Sequence, residues 1–402
     1  MSKKHQNSKK RIVIGFLLIG DGNWKGGLNY QKILLKIIST HLSDIAVAKI
    51  FVSEDQFKIA EEAFNEYLDE LPIVDSRVVK AGTGFRAVKA LITGSDKLIE
   101  DLFNEHNVDI VFETAHFFGK KFPLPCISWI PDLQHKHLPQ YFSFFSWWKR
   151  EIGLWAQTRF IKKRLILLSS VTAQKDCEYF YPKCINKTHV MKFSQKLDYK
   201  KIDKRIPIVR SKYNLPNKYF YLPNHFWAHK NHNLVLEALV KIREQGLIKS
   251  LPPIIMSGPK DFQKSKIFNT IISRIKSEKL EPHISYIGLI PYDDVLSLNA
   301  GAQALINPSK FEGWSSSVEE AKFFGTHMIL SDILVHKEQA AYADFFHPES
   351  SSELAKALLN NASKDLLNIR DIKRLNFEAE DRINKFSISF KSAIIKTYKL
   401  KN

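Results

Sequence analysis

The chain reads as an α/β protein of two doubly wound domains facing each other across a central cleft, and three observations carry that reading. Short apolar runs alternate with amphipathic stretches from the N-terminus onward, the alternation stops at a basic stretch near the middle, and it then restarts in the same order. Apolar runs too short for helices, separated by segments with helical spacing, are what parallel strands buried on both faces require. At 402 residues the chain also exceeds what one hydrophobic core usually supports.

In the first block the strand candidates are Ile12–Ile19, Ile45–Val52, Ile110–Phe112, Cys126–Ile130, Leu165–Leu168 and His189–Met191. Between them, Leu28–Ser39 sets Leu28, Ile33, Leu34, Ile37 and Ile38 at helical spacing, and Glu54–Leu68 and Arg86–Asn104 are further amphipathic stretches. The run Lys196–Lys212 is rich in Lys and Arg and poor in apolar residues, so it reads as a linker. The second block offers strands at Tyr219–Leu222, Pro253–Met256, Ile284–Ile287, Ala304–Ile306 and His327–Leu330. Its helix candidates are His232–Glu244, Tyr292–Ala300 and Ser316–Phe324. The expected domains are 1–200 and 207–376, with a helical segment 377–402 crossing back to the first. Ligands of such sheets bind outside the carboxyl ends of the strands, which directs attention to the loops that follow them.

Composition narrows the class. An apolar content of 44% with 12% aromatics is ample for packed interiors. Sixty basic residues against 42 acidic ones, a net charge of +18, favour an anionic partner: nucleic acid, an acidic membrane surface or a phosphorylated substrate. Three cysteines at irregular spacing fit neither a disulfide framework nor a zinc site, and point to a reduced, cytoplasmic chain. Lys3, Lys4, Lys9, Lys10 and Arg11 before an apolar run mimic a secretory signal, yet a Gly-rich turn follows where a cleavage site would lie, so a first strand is expected there. No apolar run approaches the ~20 residues of a membrane-crossing helix.

Five loops carry chemistry-bearing residues. Phe311–Ala321, reading FEGWSSSVEEA, follows a strand and a Pro-Ser turn and opens a helix. Gly313 permits close backbone approach, Ser315, Ser316 and Ser317 suit a helix cap, and the free N–H groups of a helix start suit a phosphate. Glu312 lies in the loop and Glu320 one turn into the helix; the plainer reading puts Glu319 and Glu320 on a solvated face. Leu222–Asn231 places His225, His229, Lys230 and Asn231 at another strand-to-helix turn, where a compact cation suits a diphosphate. Gly20, Gly22, Gly26 and Gly27 follow the first strand without the dinucleotide-binding spacing. Asp132, His135 and His137 follow Cys126–Ile130 and suit acid–base chemistry or acceptor orientation, without a recognised metal-ligand pattern. In Tyr141–Arg164, Phe144, Trp148, Ile152 and Trp155 share one helical stripe among many cations. That stripe either lies in a membrane interface or packs on the sheet with its cations facing water.

Taken together, these pieces resemble the retaining glycosyltransferases of family four, which have the GT-B fold of two Rossmann-like domains. FEGWSSSVEEAKFFGTHMILSD resembles their donor-site signature, with Glu312 and Glu320 as the two glutamates eight positions apart. LPNHFWAHKN looks like the phosphate loop, MSGPKD and YIGLIPYDDVLSLNAGAQALINPS like the segments between, and WKGGLNY like the N-terminal glycine loop. The resemblance covers most of the chain and is strongest from about Tyr219 to Gln339. Three positions depart from it: His225 stands where many members carry arginine, Ser315-Ser316-Ser317 replaces Gly-Leu-Pro, and Pro131 replaces a histidine.

What the resemblance implies is sugar transfer from a nucleoside-diphosphate sugar to a hydroxyl, with retention of anomeric configuration and without metal or other cofactor. Lys230, Glu312 and Asp132 are the candidate catalytic residues. Lys230 contacts the diphosphate, Glu312 faces the transferred sugar, and Asp132 lies on the acceptor side. Gly26, Gly27, His225, Asn231, Gly313, Trp314, Ser315, Ser316, Ser317 and Glu320 are candidates for substrate binding, with Glu320 on the ribose. The expected acceptor is a glycan, lipid-linked and built into a surface polysaccharide such as O-antigen or capsule, reached at the inner face of the plasma membrane. Two other readings compete: a GT-B sugar-nucleotide epimerase or hydrolase, and a basic nucleic-acid-binding protein. The second lacks any recognised nucleic-acid motif, so no nucleic-acid partner is expected.

Overall fold

The apolar runs become parallel strands. The computed structural model describes residues 10–19, 25–78, 84–114, 117–260, 265–364 and 370–401. The chain divides into two compact units: Met1–His135, Phe142–Phe193 and Ile383–Asn402 form one, Lys136–Tyr141 and Ser194–Arg382 the other.

The first unit contains β1 (Ile12–Leu17), α1 (Lys25–His41), β2 (Ala46–Val52), α2 (Glu54–Phe64), β3 (Ile73–Val74), α3 (Gly84–Thr93) and α4 (Lys97–Glu105). It continues with β4 (Ile110–Glu113), β5 (Cys126–Ile130), α5 (Gln134–His137), α6 (Phe144–Arg159), β6 (Arg164–Leu168), α7 (Val171–Phe180) and β7 (Thr188–Val190). Its seven strands lie in the order β3-β2-β1-β4-β5-β6-β7, all parallel. Phe16, Ile50 and Phe112 of the sheet pack with Leu34 and Ile38 of α1. Gln31 of α1 pins the end of the first strand, accepting from the Ile19 N–H at 2.9 Å and donating to the Leu17 carbonyl at 3.1 Å.

The second unit begins with α8 (Tyr199–Lys212), β8 (Phe220–Pro223), α9 (His232–Glu244), β9 (Ile254–Ser257), α10 (Ser265–Ser277), β10 (Ile284–Tyr286) and α11 (Tyr292–Gly301). There follow β11 (Ala304–Asn307), α12 (Ser316–Phe324), β12 (Met328–Ser331), α13 (Leu334–Gln339), β13 (Asp344–Phe346), α14 (Ser351–Ala362) and α15 (Ile372–Tyr398). The last helix counts with this unit through Arg382 and with the first from Ile383, where Ile383, Phe386 and Phe390 join the core around β1. The sheet order is β10-β9-β8-β11-β12-β13, again all parallel. Here the strand order reverses between β8 and β11, so the loops leaving those neighbours diverge at a topological switch point. Those two loops hold Lys230 and Glu312.

Two sequence expectations are corrected. Lys196–Lys212 is not a linker: Asp198 caps α8 by accepting from the Lys201 N–H at 3.0 Å, and Ile202 and Val209, seven residues apart, form its buried stripe. Three of its cations pair with the acidic first turn of α11. Arg205 and Lys212 donate to the buried Asp294 carboxylate at 2.6 and 2.7 Å, and Lys201 pairs with Asp293 at 2.8 Å. The run looked linker-like because its partners are acids about 90 residues away rather than apolar side chains. The second correction concerns α6, whose aromatic stripe does not pack on the sheet. Its buried face is Leu154, Ala156, Gln157 and Thr158, while Phe144, Phe145, Trp148, Ile152 and Trp155 are exposed.

Candidate active site

Strand β11 is buried along its whole length and delivers Asn307 into the Pro308-Ser309 turn. The Asn307 carboxamide oxygen accepts from the Ser309 hydroxyl at 2.6 Å and from its N–H at 3.3 Å. The same side chain donates to Ser315 Oγ at 3.1 Å and to Glu312 Oε1 at 3.4 Å. One residue therefore sets the course of the loop from 309 to 315. A second clamp comes from Gln339 at the end of α13. It accepts from the Ser315 N–H at 3.1 Å and donates to the Ser315 carbonyl at 2.7 Å and to Glu319 Oε1 at 3.0 Å. Sequence reasoning passed over both. An asparagine ending a buried strand was a usable signal for Asn307; Gln339 acts on a partner 24 residues away and left none.

The opposing loop leaves β8 at Pro223 and closes in a single helical turn at Ala228–Lys230. Asn231 then adopts the left-handed region (φ 57°) as the cap of α9, a conformation asparagine tolerates better than most residues. Its carboxamide donates to the carbonyls of Pro308 and Pro348 at 3.1 and 2.8 Å, so in this structure Asn231 holds the turn in shape. The Lys310 N–H donates to the His229 carbonyl at 2.8 Å and joins the two loops. On the other flank, Gly258 ends β9 with φ 149°, and a Cβ there would stand 2.4 Å from the Asn224 carbonyl oxygen. Only glycine lets the strand end brace the loop that carries His225. The His225 ring stacks on Trp227 with centroids 4.7 Å apart.

This arrangement brings Lys230 Nζ to within 2.6 Å of Glu312 Oε1. Burial by itself would raise the Glu312 carboxyl, but the charge of Lys230, then His336, then the Lys230 hydrogen bond, outweigh it and hold the pKa at about 2. Glu312 is thus an anion at neutral pH, paired with the cation expected to meet a diphosphate.

Helix α12 starts at Ser316, as the sequence predicts. The solvated-face reading of its glutamates is corrected, because Glu319 and Glu320 are both buried. Glu319 pairs with Lys322 at 2.7 Å. Glu320 Oε1 accepts from the Tyr292 hydroxyl at 2.8 Å, and Tyr292 in turn accepts from Gln195 at 2.9 Å. Desolvation raises the Glu320 carboxyl to about 7 despite hydrogen bonds from Tyr292 and Asn299. Ser315 and Ser317 point inward, their hydroxyls 3.1 Å apart, whereas Ser316 is exposed and Gly313 and Trp314 are half-buried. With the Ser315 amide taken by Gln339, the anion-binding capacity of the helix head lies in the first-turn amides that follow it.

The remaining candidates belong to the first unit. Asp132 accepts from the Gln134 N–H at 3.0 Å and forms an ion pair with Arg150. His135 is buried, with Nε2 3.0 Å from Glu151, which also accepts from the Tyr181 hydroxyl at 2.7 Å. Gly26 and Gly27 lie in the first turn of α1 rather than in a loop. Gly20, Gly22, Trp24 and Asp261 fall outside the described residues. His137, grouped with Asp132 in the sequence, stacks instead on Phe311, in the second unit, with centroids 5.3 Å apart.

Known proteins share part of this sequence and the fold. Residues 206–374 match the family described as glycosyl transferases group 1. No curated protein matches the sequence. Among solved structures, a glycosyltransferase from Rickettsia africae is similar over 97% of this chain and 98% of its own, at 16% identity and a TM-score of 0.67. Anabaena HepE, solved with UDP and glucose, is similar over 97% of this chain and 98% of its own, at 14% identity and a TM-score of 0.61. WaaG, a glycosyltransferase involved in lipopolysaccharide biosynthesis, is similar over 95% of this chain and 99% of its own, at 14% identity and a TM-score of 0.60. Residues 206–374 therefore carry a glycosyl transferases group 1 domain, the chain as a whole has the GT-B fold, and it is a glycosyltransferase.

Proposed function

We propose that the enzyme moves a sugar from a nucleoside-diphosphate sugar to a hydroxyl of a lipid-linked glycan, with retention, in the assembly of a surface polysaccharide. The observation that carries the donor half is the placement of the Lys230–Glu312 pair and the head of α12 on the two loops of one switch point. A departing diphosphate needs cations and amides in a site of restricted water, and Lys230, His225 and the first-turn amides of α12 are of that kind. Glu312, fully ionised, suits hydrogen bonds from sugar hydroxyls, and Glu320 suits the ribose. The leaving phosphate takes the acceptor proton, so no protein base is demanded, and the cations serve where a metal otherwise would. HepE, whose structure holds UDP and glucose, supports a nucleotide-sugar donor, and WaaG, by its role in lipopolysaccharide biosynthesis, supports a glycan acceptor. Asp132 is proposed for the acceptor side, and a lipid-linked acceptor brings the enzyme to the inner face of the plasma membrane as a peripheral protein.

The test is calorimetric titration of UDP, GDP and their sugars into the wild type, Lys230→Ala and Glu320→Ala. One nucleotide series should bind the wild type and lose at least tenfold in affinity in each variant. Undiminished binding in both variants would remove this site from the reading.

A further inference from the structure

Helix α6 turns its apolar stripe outward. Phe144, Phe145, Trp148, Ile152 and Trp155 are between 43 and 83% exposed. At about 100° per residue they fall within an arc of roughly 100° on the helix. Five large apolar side chains on one exposed face of one helix are not the scattered surface hydrophobics of an ordinary soluble domain. The inner face is fully used: Leu154 and Ala156 are buried beside Gln157, which donates to the Thr114 carbonyl at 2.5 Å, and Thr158, which donates to the Leu154 carbonyl at 2.7 Å. The helix is capped by Ser143, which accepts from the Ser146 N–H at 3.3 Å, and the Trp147 indole N–H is tied to the His135 carbonyl at 2.8 Å. The stripe is therefore presented by a helix fixed on its other side.

Charge decides what covers it. Between Ser143 and Lys163 the cations are Lys149, Arg150, Arg159, Lys162 and Lys163, and the single acid is Glu151. Glu151 is bound by the Tyr181 hydroxyl and lies beside His135, so its charge is spent inward. Lys149, Arg159 and Lys162 are exposed. Next to α6 packs the Pro182–Cys184 turn, whose Lys183 and the following Ile185 are both exposed. Arg150 is paired with Asp132, but an aromatic stripe rimmed by Lys149, Arg159 and Lys162, with no acid of α6 itself turned outward, matches a bilayer interface bearing anionic lipid. Trp and Phe rings settle at headgroup depth while Lys and Arg reach the phosphates.

We propose that α6 is the surface through which the enzyme sits on an anionic membrane, with its Phe144–Trp155 stripe in the lipid interface. The proposal rests on the lipid-linked acceptor above for its purpose, but not for its physics.

Flotation with vesicles of phosphatidylcholine and phosphatidylglycerol at 7:3, and of phosphatidylcholine alone, tests it. Wild type should float with the mixed vesicles at least tenfold more strongly than with the neutral ones. Phe144→Ser/Trp148→Ser/Trp155→Ser should lose at least tenfold, and Lys149→Glu/Arg159→Glu/Lys162→Glu should lose the preference for anionic lipid. Brominated acyl chains should quench the tryptophan emission of the wild type. Far-UV circular dichroism and nucleotide titration check that each variant is folded. Failure of the wild type to float, or unchanged flotation of the aromatic variant, overturns the proposal. A dimer in solution that the aromatic variant dissolves also overturns it, assigning the face to a second copy. Loss of nucleotide binding with flotation intact would sink the donor reading and leave the membrane face standing.

Discussion

Lys230 Nζ lies 2.6 Å from Glu312 Oε1, in side chains 12 and 10% exposed, so each is the counter-ion of the other inside the second unit. Under the proposed donor site, a diphosphate at Lys230 would compete with that carboxylate and free Glu312 for the sugar hydroxyls. Removing one member alone leaves a buried charge uncompensated, which costs about 3–5 kcal/mol, whereas removing both is often near neutral. Lys230→Ala is thus expected to destabilise strongly, and Lys230→Met/Glu312→Gln to recover most of the loss. Neither should transfer sugar at a measurable rate. Urea unfolding monitored by fluorescence measures the first pair of outcomes; equal destabilisation of single and double variants would show that the pair is not coupled.

The same pair predicts an acid limb. The Glu312 carboxyl sits at about 2 in the folded chain against an ordinary 4.5, so the unfolded chain binds the proton more readily between those values. Its contribution is complete above pH 4.5 and is lost as pH falls towards 2. Glu312→Gln should therefore narrow the gap to wild type in this window, measured as unfolding free energy against pH.

Glu320 behaves with the opposite sign. Its folded pKa is raised to about 7, so the folded chain holds the proton where the unfolded chain has released it. Stability from this group is present below pH 4.5 and is lost as pH rises through 7. In the proposed site donor binding runs the other way, because the ionised carboxylate accepts from ribose hydroxyls more strongly than the neutral acid does. Nucleotide affinity is expected to rise severalfold from pH 6 to pH 8 in the wild type and to be flat in Glu320→Gln. The same variant should melt higher than the wild type at pH 8. Calorimetry and thermal melts at pH 6 and pH 8 decide both; a pH-independent wild type would refute the assignment.

How much of this was legible depends on whether the partner lies nearby in sequence. The strand Cys126–Ile130 and the helices His232–Glu244 and Ser316–Phe324 were readable to the residue, because apolar periodicity and capping residues are local signals. The parallel direction of the strands was within reach of the alternation, but their order in each sheet was not. Long-range polar partners were not readable. Nothing local says that Arg205 and Lys212 meet Asp294, or that Arg164 is buried against Glu113 over 51 residues at 2.9 Å. Whether Glu319 and Glu320 face water was equally hidden, since both helix faces offer polar letters and only Gln339, Lys322 and Tyr292 decide.

Gln339 offers the next test, since three hydrogen bonds run from one side chain to Ser315 and Glu319. Truncation leaves the buried Ser315 N–H without that partner, at about 1–3 kcal/mol, while the Ser315 carbonyl keeps the Glu319 N–H at 3.2 Å. Gln339→Ala should lower the melting temperature and weaken nucleotide binding together, because the head of α12 is then no longer held. Gln339→Glu keeps the acceptor for the Ser315 N–H but sets a second carboxylate against Glu319. It should be worse than Gln339→Ala in melting temperature at pH 8 and recover towards pH 5. A Gln339→Ala enzyme with wild-type nucleotide affinity would show that the loop holds its course through Asn307 alone.

His232 sits at the first position of α9 with its ring stacked on Phe226, centroids 4.5 Å apart, and neither ring nitrogen has a hydrogen-bond partner among the described residues. Desolvation, with the nearby charge of Lys230 and then His229, drives its pKa down to about 3 from 6.5. A histidine depressed on folding stabilises fully above its unfolded value and loses that contribution as pH falls from 6.5 towards 3. Replacing a buried group that has no partner by an apolar one of similar shape is near neutral or stabilising. His232→Phe should therefore match or exceed the wild type at pH 7 and exceed it by more at pH 5, by about 1.4 kcal/mol for each pH unit below 6.5. The Glu312 acid limb begins only below 4.5, so pH 5 separates the two effects. Unfolding free energies of both proteins at pH 7 and 5 test this, and an identical acid loss in wild type and variant would place the acid sensitivity elsewhere.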